Sequence, residues 1–534
     1  MSPLKLTIFA FSSGLLLALA WLGFPGLILL IAFIPLLYVD DYLQEHKHQY
    51  KPFIFWLFSL ITFLVWNSLT LWWVWNATPF GAVFAIIVNS FLMSLVFGLA
   101  HVVGRHKGKS FGHLFLFFSW ISFEYLHYNW DMSCPWLTLG NGLANDVKII
   151  QWFEYTGVLG GTAWILIVNL LVWELIQKSG TYPREKIRLQ LYLVIVIIFF
   201  PVVISLIRYQ TYTEKSDPVN IVIAQPNIDP YNDKFSGMSV GEQLKRLLQV
   251  SDSLGTDSTD FFVGPETALH ELWENNPFPN RQVVAIRNFL NEKYPNASFV
   301  VGASTLRRYF PGEEISSSAR YSSDSSIVYD AFNSACYIEK ELPVEFYHKT
   351  KLVSGVEKMP FEKQLRFLEK WIINLGGISG TLGSQKDTLV FSKNGTNFAV
   401  PICYESGYGE YLSGFVKEGA NVFFIITNDG WWKNTPGYKQ HLSYSRLRAI
   451  EFRRGIARSG NTGISCFINQ RGDIVKRTAW WKQTSISGTI NRNDKITFYA
   501  KHGDYVARIS VMLFAAMLMI FLVEELKSKK KEPH

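Results

Sequence analysis

The chain has 534 residues, is 49% hydrophobic and 16% aromatic, and carries 18 Trp and 41 Phe; that is too apolar for one water-soluble domain and long enough for two units. Its net charge of +8 is spread between apolar stretches and in a Lys-rich tail rather than in one patch, so no nucleic-acid partner is expected. Four widely spaced cysteines, Cys134, Cys336, Cys403 and Cys466, form no CxxC pair, which argues against a zinc ribbon or a dense disulfide framework but leaves open one disulfide among Cys134, Cys336 and Cys466.

Seven apolar stretches of spanning length fill the first 207 residues, at about 4–21, 23–43, 52–75, 81–104, 112–130, 157–177 and 187–207, each near the ~20 residues a bilayer-crossing helix needs. The first reads as a retained span rather than a signal peptide, because a second follows almost at once. Lys47 and Lys51, then Arg105, Lys107 and Lys109, then Lys178, Arg184, Lys186 and Arg188 occupy alternate connections, with Lys148 the exception in the others. The positive-inside rule therefore predicts a cytoplasmic N-terminus and places everything after Arg208 on the far side. An eighth span, about 507–525, returns the chain, and the tail 526–534 with Lys527, Lys529, Lys530 and Lys531 is cytoplasmic again. The expected division is a seven-helix membrane domain over 1–210, a water-soluble domain over 215–503, the last span and the tail.

Within 215–503, β-rich runs at Val219–Ala224, Phe261–Val263, Phe299–Gly302, Ile327–Tyr329, Phe398–Ile402 and Val422–Thr427 alternate with helical segments at about 238–254, 280–293 and 438–457. That alternation predicts an α/β domain around a mainly buried sheet. Ser316–Ser326 reads as a polar, mobile surface loop. Met359–Ile373 sets Leu365, Leu368, Trp371 and Ile372 at near-helical spacing, the pattern of a core-facing stripe or of an amphipathic lid touching the membrane. Arg471-Gly472-Asp473 reads as a hairpin turn. The 11 His include no HExxH and no Gly-rich phosphate loop appears, so no metal and no cofactor are expected.

Three polar residues sit at predicted strand ends. Glu266 follows Phe261-Phe262-Val263-Gly264-Pro265, Lys349 follows Val344-Glu345-Phe346-Tyr347-His348, and Cys403 follows Phe398-Ala399-Val400-Pro401-Ile402. A lone cysteine at a strand-to-helix corner is more often structural than nucleophilic. Gly-Pro-Glu-Thr, Tyr-His-Lys and Ile-Cys-Tyr-Glu in that order are far less expected by chance. The combination resembles the Glu–Lys–Cys triad of the nitrilase superfamily. With seven helices before the domain and one after, the whole chain is similar to the apolipoprotein N-acyltransferase family.

That resemblance implies an αββα sandwich carrying Glu266, Lys349 and Cys403 as the catalytic residues, with Glu357 as a further carboxylate and Tyr404 and Glu405 beside the nucleophile. It also implies roles for Trp136 in Cys134-Pro135-Trp136-Leu137 and for Asn428, Asp429 and Trp431 in Asn428-Asp429-Gly430-Trp431-Trp432. Gln225-Pro226-Asn227-Ile228 and Arg458-Ser459-Gly460-Asn461-Thr462-Gly463 resemble further family segments. One departure stands out: the family often has Val-Pro-Phe-Gly-Glu where this chain reads Val353-Ser354-Gly355-Val356-Glu357, which puts the geometry of that loop in question. Residue chemistry alone gives blander readings: structural, salt-bridged carboxylates at Glu357 and Glu405, an interfacial anchor at Trp136, a turn cap at Asp429.

What the resemblance implies for function is a bacterial inner-membrane, multi-pass enzyme, expected as a monomer, with a periplasmic catalytic domain. It would take an acyl chain from a phospholipid onto Cys403 as a thioester and pass it to the α-amine of a lipoprotein's N-terminal diacylglyceryl-cysteine. An unperturbed thiol, pKa about 8.5, is mostly protonated at neutral pH. A Lys349 ammonium would favour the thiolate and Glu266 would take the proton, while Lys349 and the Tyr404 N–H would face the oxyanion. The alternatives are a membrane-tethered amidase of small amides that uses the same triad, and a non-enzymatic lipid- or lipoprotein-binding module. A transporter is less favoured, because the spans carry few ionisable residues, Glu124 being one.

Overall fold

The computed structural model describes residues 1–180, 182–278, 280–322, 324–359, 361 and 381–529. The stripe at 359–373, expected as core-facing or as an amphipathic lid, lies outside the described residues except for Met359 and Phe361. The chain divides into two compact units: 1–75, 81–211 and 502–534 form one, and 76–80 with 212–501 form the other.

The first unit is helical. Among the described residues, seven helices are long and apolar enough to cross a membrane: Pro3–Trp21, Gly26–Glu45, Pro52–Asn76, Pro79–Lys107, Phe153–Ser179, Ile187–Thr211 and Tyr505–Lys527. The expected crossing near 112–130 forms the 21-residue helix Lys109–Asn129, but it is not one of the seven, because His113, Glu124 and His127 interrupt its apolar run. The second span is broken. A 3₁₀ segment, Gly26–Ile31, precedes the α-helix Ile34–Glu45. The Asn169 side chain covers the break, donating to Leu29 O at 2.7 Å and accepting from Phe33 N at 2.8 Å, which is how irregular backbone survives in an apolar unit. Glu124 is likewise satisfied: it accepts from Trp120 Nε1, Leu139 N and Thr162 Oγ1 at 2.9, 2.8 and 2.6 Å. Close packing of the first and third helices requires glycine at 14, where a Cβ would lie 2.3 Å from Thr62 O.

The second unit holds two sheets. The first contains β1 (Pro218–Gln225), β2 (Phe261–Val263), β3 (Leu269–Trp273), β4 (Ser298–Arg308), β5 (Arg320–Tyr321), β6 (Val328–Ile338) and β7 (Glu345–His348), closed at one edge by β14 (Thr484–Asn491). The second runs through β8 (Phe391–Lys393), β9 (Thr396–Ala399), β10 (Val422–Thr427), β11 (Gly455–Gly460), β12 (Cys466–Ile468) and β13 (Ile474–Arg477). β1, β2 and β4 are parallel, as are β9, β10 and β11.

Strand alternation sorts the apolar residues into two cores. From the first sheet Val219, Ile221, Ile223, Phe261, Val263, Val300, Ala335 and Tyr337 pack with Phe398, Phe424, Ile426 and Ile456 of the second sheet. The alternate residues Val222, Ala224, Phe262, Phe299, Val301 and Cys336 face Leu244, Leu247, Ile286 and Leu290 of helices Val240–Asp252 and Arg281–Lys293. Helices Gly409–Lys417 and Pro436–Phe452 contribute Leu412, Phe415, Leu442 and Phe452 to the core of the second sheet. The layers are thus helix, sheet, sheet, helix.

The two facing sheets are those of the αββα sandwich that the resemblance implies, where strand–helix alternation alone spoke only of a buried sheet. Several sequence expectations change here. The helix expected at 438–457 stops at Phe452, where Arg453 adopts φ +52°, and Gly455–Gly460 becomes a strand because its side chains are wanted beside β10. Ser316–Ser326 is not simply a loop: Arg320 and Tyr321 pair with β6, and Ser316 and Ser318 donate to Asp330. The hairpin at Arg471-Gly472-Asp473 forms, with Gly472 at φ +86°. All four cysteines are free, and Cys336 and Cys466 are packed in the two cores.

Candidate active site

Four strand ends of the second unit converge. β2 leads through Gly264-Pro265 to Glu266, β7 leads directly to Lys349, β9 leads through Val400-Pro401-Ile402 to Cys403, and β10 leads to Asn428. The end of a parallel strand is where side chains leave the packed sheet. Glu266 is brought in by close backbone approach: a Cβ at Gly302 on β4 would sit 2.5 Å from Glu266 Cα.

Lys349 is 1% exposed, and its ammonium donates to Glu357 Oε1 at 2.8 Å and Glu266 Oε1 at 3.3 Å. Asn333 ties the two carboxylates together, its Nδ2 lying 2.8 Å from Glu266 Oε1 and 3.0 Å from Glu357 Oε1. The other Glu266 oxygen accepts from Asn428 N at 3.0 Å. Burial alone would depress the Lys349 pKa, but the Glu357 and Glu266 carboxylates outweigh it and hold the amine above its ordinary value. Lys349 is therefore an ammonium. The departure at 354–356 leaves Glu357 in place: Val353 O accepts from the N–H groups of Val356, Glu357 and Lys358, Gly355 takes φ +79°, and Glu357 Oε2 accepts from Val353 N at 2.9 Å.

Cys403 opens a 3₁₀ turn, Cys403–Gly407, from a left-handed φ of +51°. That backbone is strained for a non-glycine residue, and the helix of the strand-to-helix corner follows at Gly409–Lys417. Glu405 holds the corner: its carboxylate accepts from Ile402 N (2.8 Å), Thr350 N (2.7 Å), Lys351 N (3.1 Å) and Tyr347 OH (2.7 Å). It joins the cysteine turn to the segment after Lys349 by hydrogen bonds rather than by the salt bridge envisaged from sequence. Burial raises its pKa despite these donors. Tyr404 packs edge-on against Tyr408 at 5.3 Å.

The Cys403 thiol departs from expectation. Burial raises its pKa well above the ordinary value and the Glu266 charge adds to this, with Lys349 only partly opposing. The resting sulfur is a thiol, so its proton must leave as the sulfur attacks.

Asp429 is no mere turn cap. Fully buried, it accepts from Arg458 Nη2 at 2.7 Å, lies 2.8 Å from His441 Nδ1, and accepts from Thr427 Oγ1 at 2.7 Å. Burial would raise its pKa, but Arg458 and His441 hold it below the usual carboxylate range. His441 Nε2 lies 3.0 Å from Cys403 O, so the Asp429 cluster supports the nucleophile's backbone. Trp431 packs edge-on against Tyr231 at 5.4 Å, and its carbonyl accepts from Tyr231 OH at 2.6 Å. Asn461 binds both polar backbone groups of Ile228, joining the two further segments singled out in the sequence.

Trp136 lies in the helical unit. It is 6% exposed and packs on Trp73 at 5.2 Å, so it is buried in its own unit instead of lying in an exposed interfacial belt. Sequence reasoning missed Asn333, Thr427, His441 and Lys234. Asn333 had a weak signal, as an amide on the Ala335 and Tyr337 face of a strand that also carries Asp330 and Ser334. Lys234 had none: its amine donates to Thr267 Oγ1 beside a small cavity that Glu266 also lines, and burial pushes its pKa down to about 8. Among the described residues Asn428 Nδ2 and Asn333 Oδ1 are buried without a hydrogen-bond partner, polar capacity left over at the site.

Two family models match the chain. One described as the apolipoprotein N-acyltransferase N-terminal domain covers residues 13–171, and one described as carbon-nitrogen hydrolase covers 309–498. An apolipoprotein N-acyltransferase of Chlorobaculum tepidum is 29% identical over 531 residues, 96% of each chain. One from Geobacter metallireducens is 26% identical over 526 residues, covering 95% of this chain and 93% of its own. A third, from Thermotoga maritima, is 24% identical over 528 residues, covering 96% and 92%.

Proposed function

This chain belongs to the apolipoprotein N-acyltransferase family of the nitrilase superfamily, and from that premise we propose a ping-pong transfer in which Glu266, Lys349 and Cys403 move a fatty acyl chain from a phospholipid to the N-terminal amine of a diacylglyceryl lipoprotein. The observation that carries the reading is the Lys349 ammonium between Glu266 and Glu357 at the mouth of the Cys403 turn.

The sulfur attacks the ester carbonyl as its proton passes to Glu266, the acceptor that Asn333 and Asn428 orient. Lys349 keeps its proton, so it serves the oxyanion as a donor and not as an acid. One such donor typically contributes about 10²–10³ in rate. Collapse of the tetrahedral intermediate breaks the carbonyl–oxygen bond, Glu266 returns the proton to the glycerol oxygen, lysophospholipid leaves and the acyl group stays on sulfur. The acceptor's neutral α-amine then attacks the thioester, Glu266 takes its proton, and the Cys403 thiol is regenerated. Asn428 Nδ2 and Asn333 Oδ1 are left for substrate polar groups. Glu357 positions Lys349, Glu405 positions the Cys403 turn, and Asp429 supports that turn through His441. Tyr404 and Trp431 are assigned to substrate binding around this centre, and Trp136 to a substrate-handling role within the helical unit.

The proposed setting is the bacterial inner membrane, with both termini cytoplasmic and the sheet domain periplasmic, acting as a monomer. The Lys and Arg residues in alternate connections support it. Intact-mass analysis of purified protein with phospholipid and no acceptor tests the chemistry. The expected result is a hydroxylamine-sensitive acyl adduct on Cys403; an unmodified reactive thiol beside intact lipid would instead favour a small-amide hydrolase.

A further inference from the structure

Behind Cys403 stands a hydroxyl that no step above uses. Thr427, the last residue of β10, is fully buried. Its Oγ1 lies 3.4 Å from Cys403 Sγ and 2.7 Å from Asp429 Oδ1. A threonine has one hydroxyl proton and can donate it to only one of these at a time, while accepting on its lone pairs. Which way it points is decided by which neighbour carries the charge.

In the resting site the sulfur bears a proton and Asp429 is a carboxylate. The favoured arrangement is S–H donating to Thr427 Oγ1 and Thr427 O–H donating to Asp429. When the S–H proton goes to Glu266, sulfur becomes an acceptor only, and the opposite rotamer puts the Thr427 proton on it. Asp429 tolerates the loss, because Arg458 Nη2 and His441 Nδ1 still hold it at 2.7 and 2.8 Å. Its charge stays compensated in both rotamers, which is what makes the hydroxyl free to turn.

We propose that Thr427 is a further catalytic residue, a two-position hydroxyl that accepts from the Cys403 thiol at rest and donates to the sulfur whenever it carries negative charge. Charge appears there twice, as the thiol attacks the ester and as it is expelled from the thioester by the amine. No proton leaves Thr427 in either step; Glu266 takes the S–H proton in the first and, having taken the amine proton, returns one to the sulfur in the second. The inference rests on Cys403 being the nucleophile of the proposed reaction, whichever acyl donor it attacks. The charged or titratable groups facing the sulfur are Glu266, Lys349 and Asp429, with Arg458 and His441 behind Asp429.

The test compares full-length wild-type protein with Thr427→Val, which keeps the shape and removes the hydroxyl, and with Thr427→Ser, which restores it. Two rates are read by peptide mass analysis: alkylation of Cys403 by iodoacetamide across pH, and acyl-adduct formation from phosphatidylethanolamine in mixed micelles. A hydrogen bond to a charged group predicts that Val slows acylation about ten- to a hundredfold. It also moves the alkylation midpoint to higher pH, and Ser recovers most of both. A uniform loss of rate in Val with the midpoint unmoved means packing alone and overturns the proposal, as does acylation within threefold of wild type. Should Val not accumulate, Thr427→Ala must show the same midpoint shift or the proposal fails. A wild type that forms no adduct, with the Val midpoint still displaced, sinks the acyl-transfer reading and leaves the role of Thr427 standing.

Discussion

Replacing Glu266 by Gln separates the two things this carboxylate does. As proposed base it takes the Cys403 proton, and as a buried charge it holds that proton on, since burial and then Glu266 are the leading causes raising the thiol pKa. The substitution keeps the shape. Its remaining oxygen can still accept from Asn333 Nδ2 and Lys349 Nζ, as Oε1 does at 2.8 and 3.3 Å, but the amide nitrogen then meets Asn428 N, a donor that Oε2 accepts from at 3.0 Å. One donor facing another costs about 1–3 kcal/mol of stability, which leaves the domain folded. Loss of a general base typically costs 10²–10⁴ in rate, about 3–5 kcal/mol of barrier at 1.36 per tenfold. The acyl-adduct assay should therefore fall by at least a hundredfold at pH 7.5. Iodoacetamide alkylation, which needs only thiolate, should shift the other way: removing the Glu266 charge lowers the thiol pKa, so the midpoint moves down and the rate at pH 8 rises. Two readouts moving in opposite directions cannot come from blocked access, and an unchanged limited-proteolysis pattern excludes local unfolding, which would also expose the thiol. A parallel fall in both, or acylation reduced less than tenfold, would refute the assignment of Glu266 as base.

Lys349→Met leaves Glu266 and Glu357 buried without their cation; unfolding free energy should fall by about 3–5 kcal/mol, and adding Glu357→Gln should return part of it in a double-mutant cycle read by denaturant-dependent proteolysis. Asp429→Asn strands the fully buried Arg458 guanidinium and should cost a similar ~3–5 kcal/mol. Because the folded Asp429 binds fewer protons than the unfolded chain, its contribution is present above the unfolded pKa of about 4 and is lost as pH falls below it; the Asn variant should lack that part of the acid-unfolding transition. Lys234 runs the other way. With a folded pKa of about 8 against about 10.4 unfolded, it gives up its proton earlier in the fold, so stability should rise between pH 8 and 10 by about 3 kcal/mol. Lys234→Met should flatten that rise in a pH series of denaturation midpoints.

Much of this site was legible from local pattern. Strand ends are marked by the apolar runs that precede them, and Glu266, Lys349 and Cys403 each follow one, so three short segments pointed to residues that the fold brings together. Spanning helices were equally plain, because length and hydropathy are local properties. The fifth was the exception, since Glu124 and the neighbouring His113 and His127 dilute its apolar run. The helix expected through 457 went wrong for a nonlocal reason: Gly455–Gly460 is a strand because β10 lies beside it, and no property of the segment alone says so.

By itself, then, the sequence determined the division into an apolar helical part and a part that alternates strands and helices, and which three residues follow strand ends. Only the tertiary structure decided how those ends act on one another. It placed Lys349 between two carboxylates, so that the amine keeps its proton, and set Cys403 in a half-buried, left-handed turn beside Glu266, so that the thiol keeps its own. It also brought Thr427 and His441 to the centre from a strand and a helix whose patterns spoke only of packing, and set the Asn333 amide against both carboxylates. The physical reason is range: propensity and hydrophobic period act over a few residues along the chain, whereas the charge state of a buried group is set by whatever lies within a few ångströms in space.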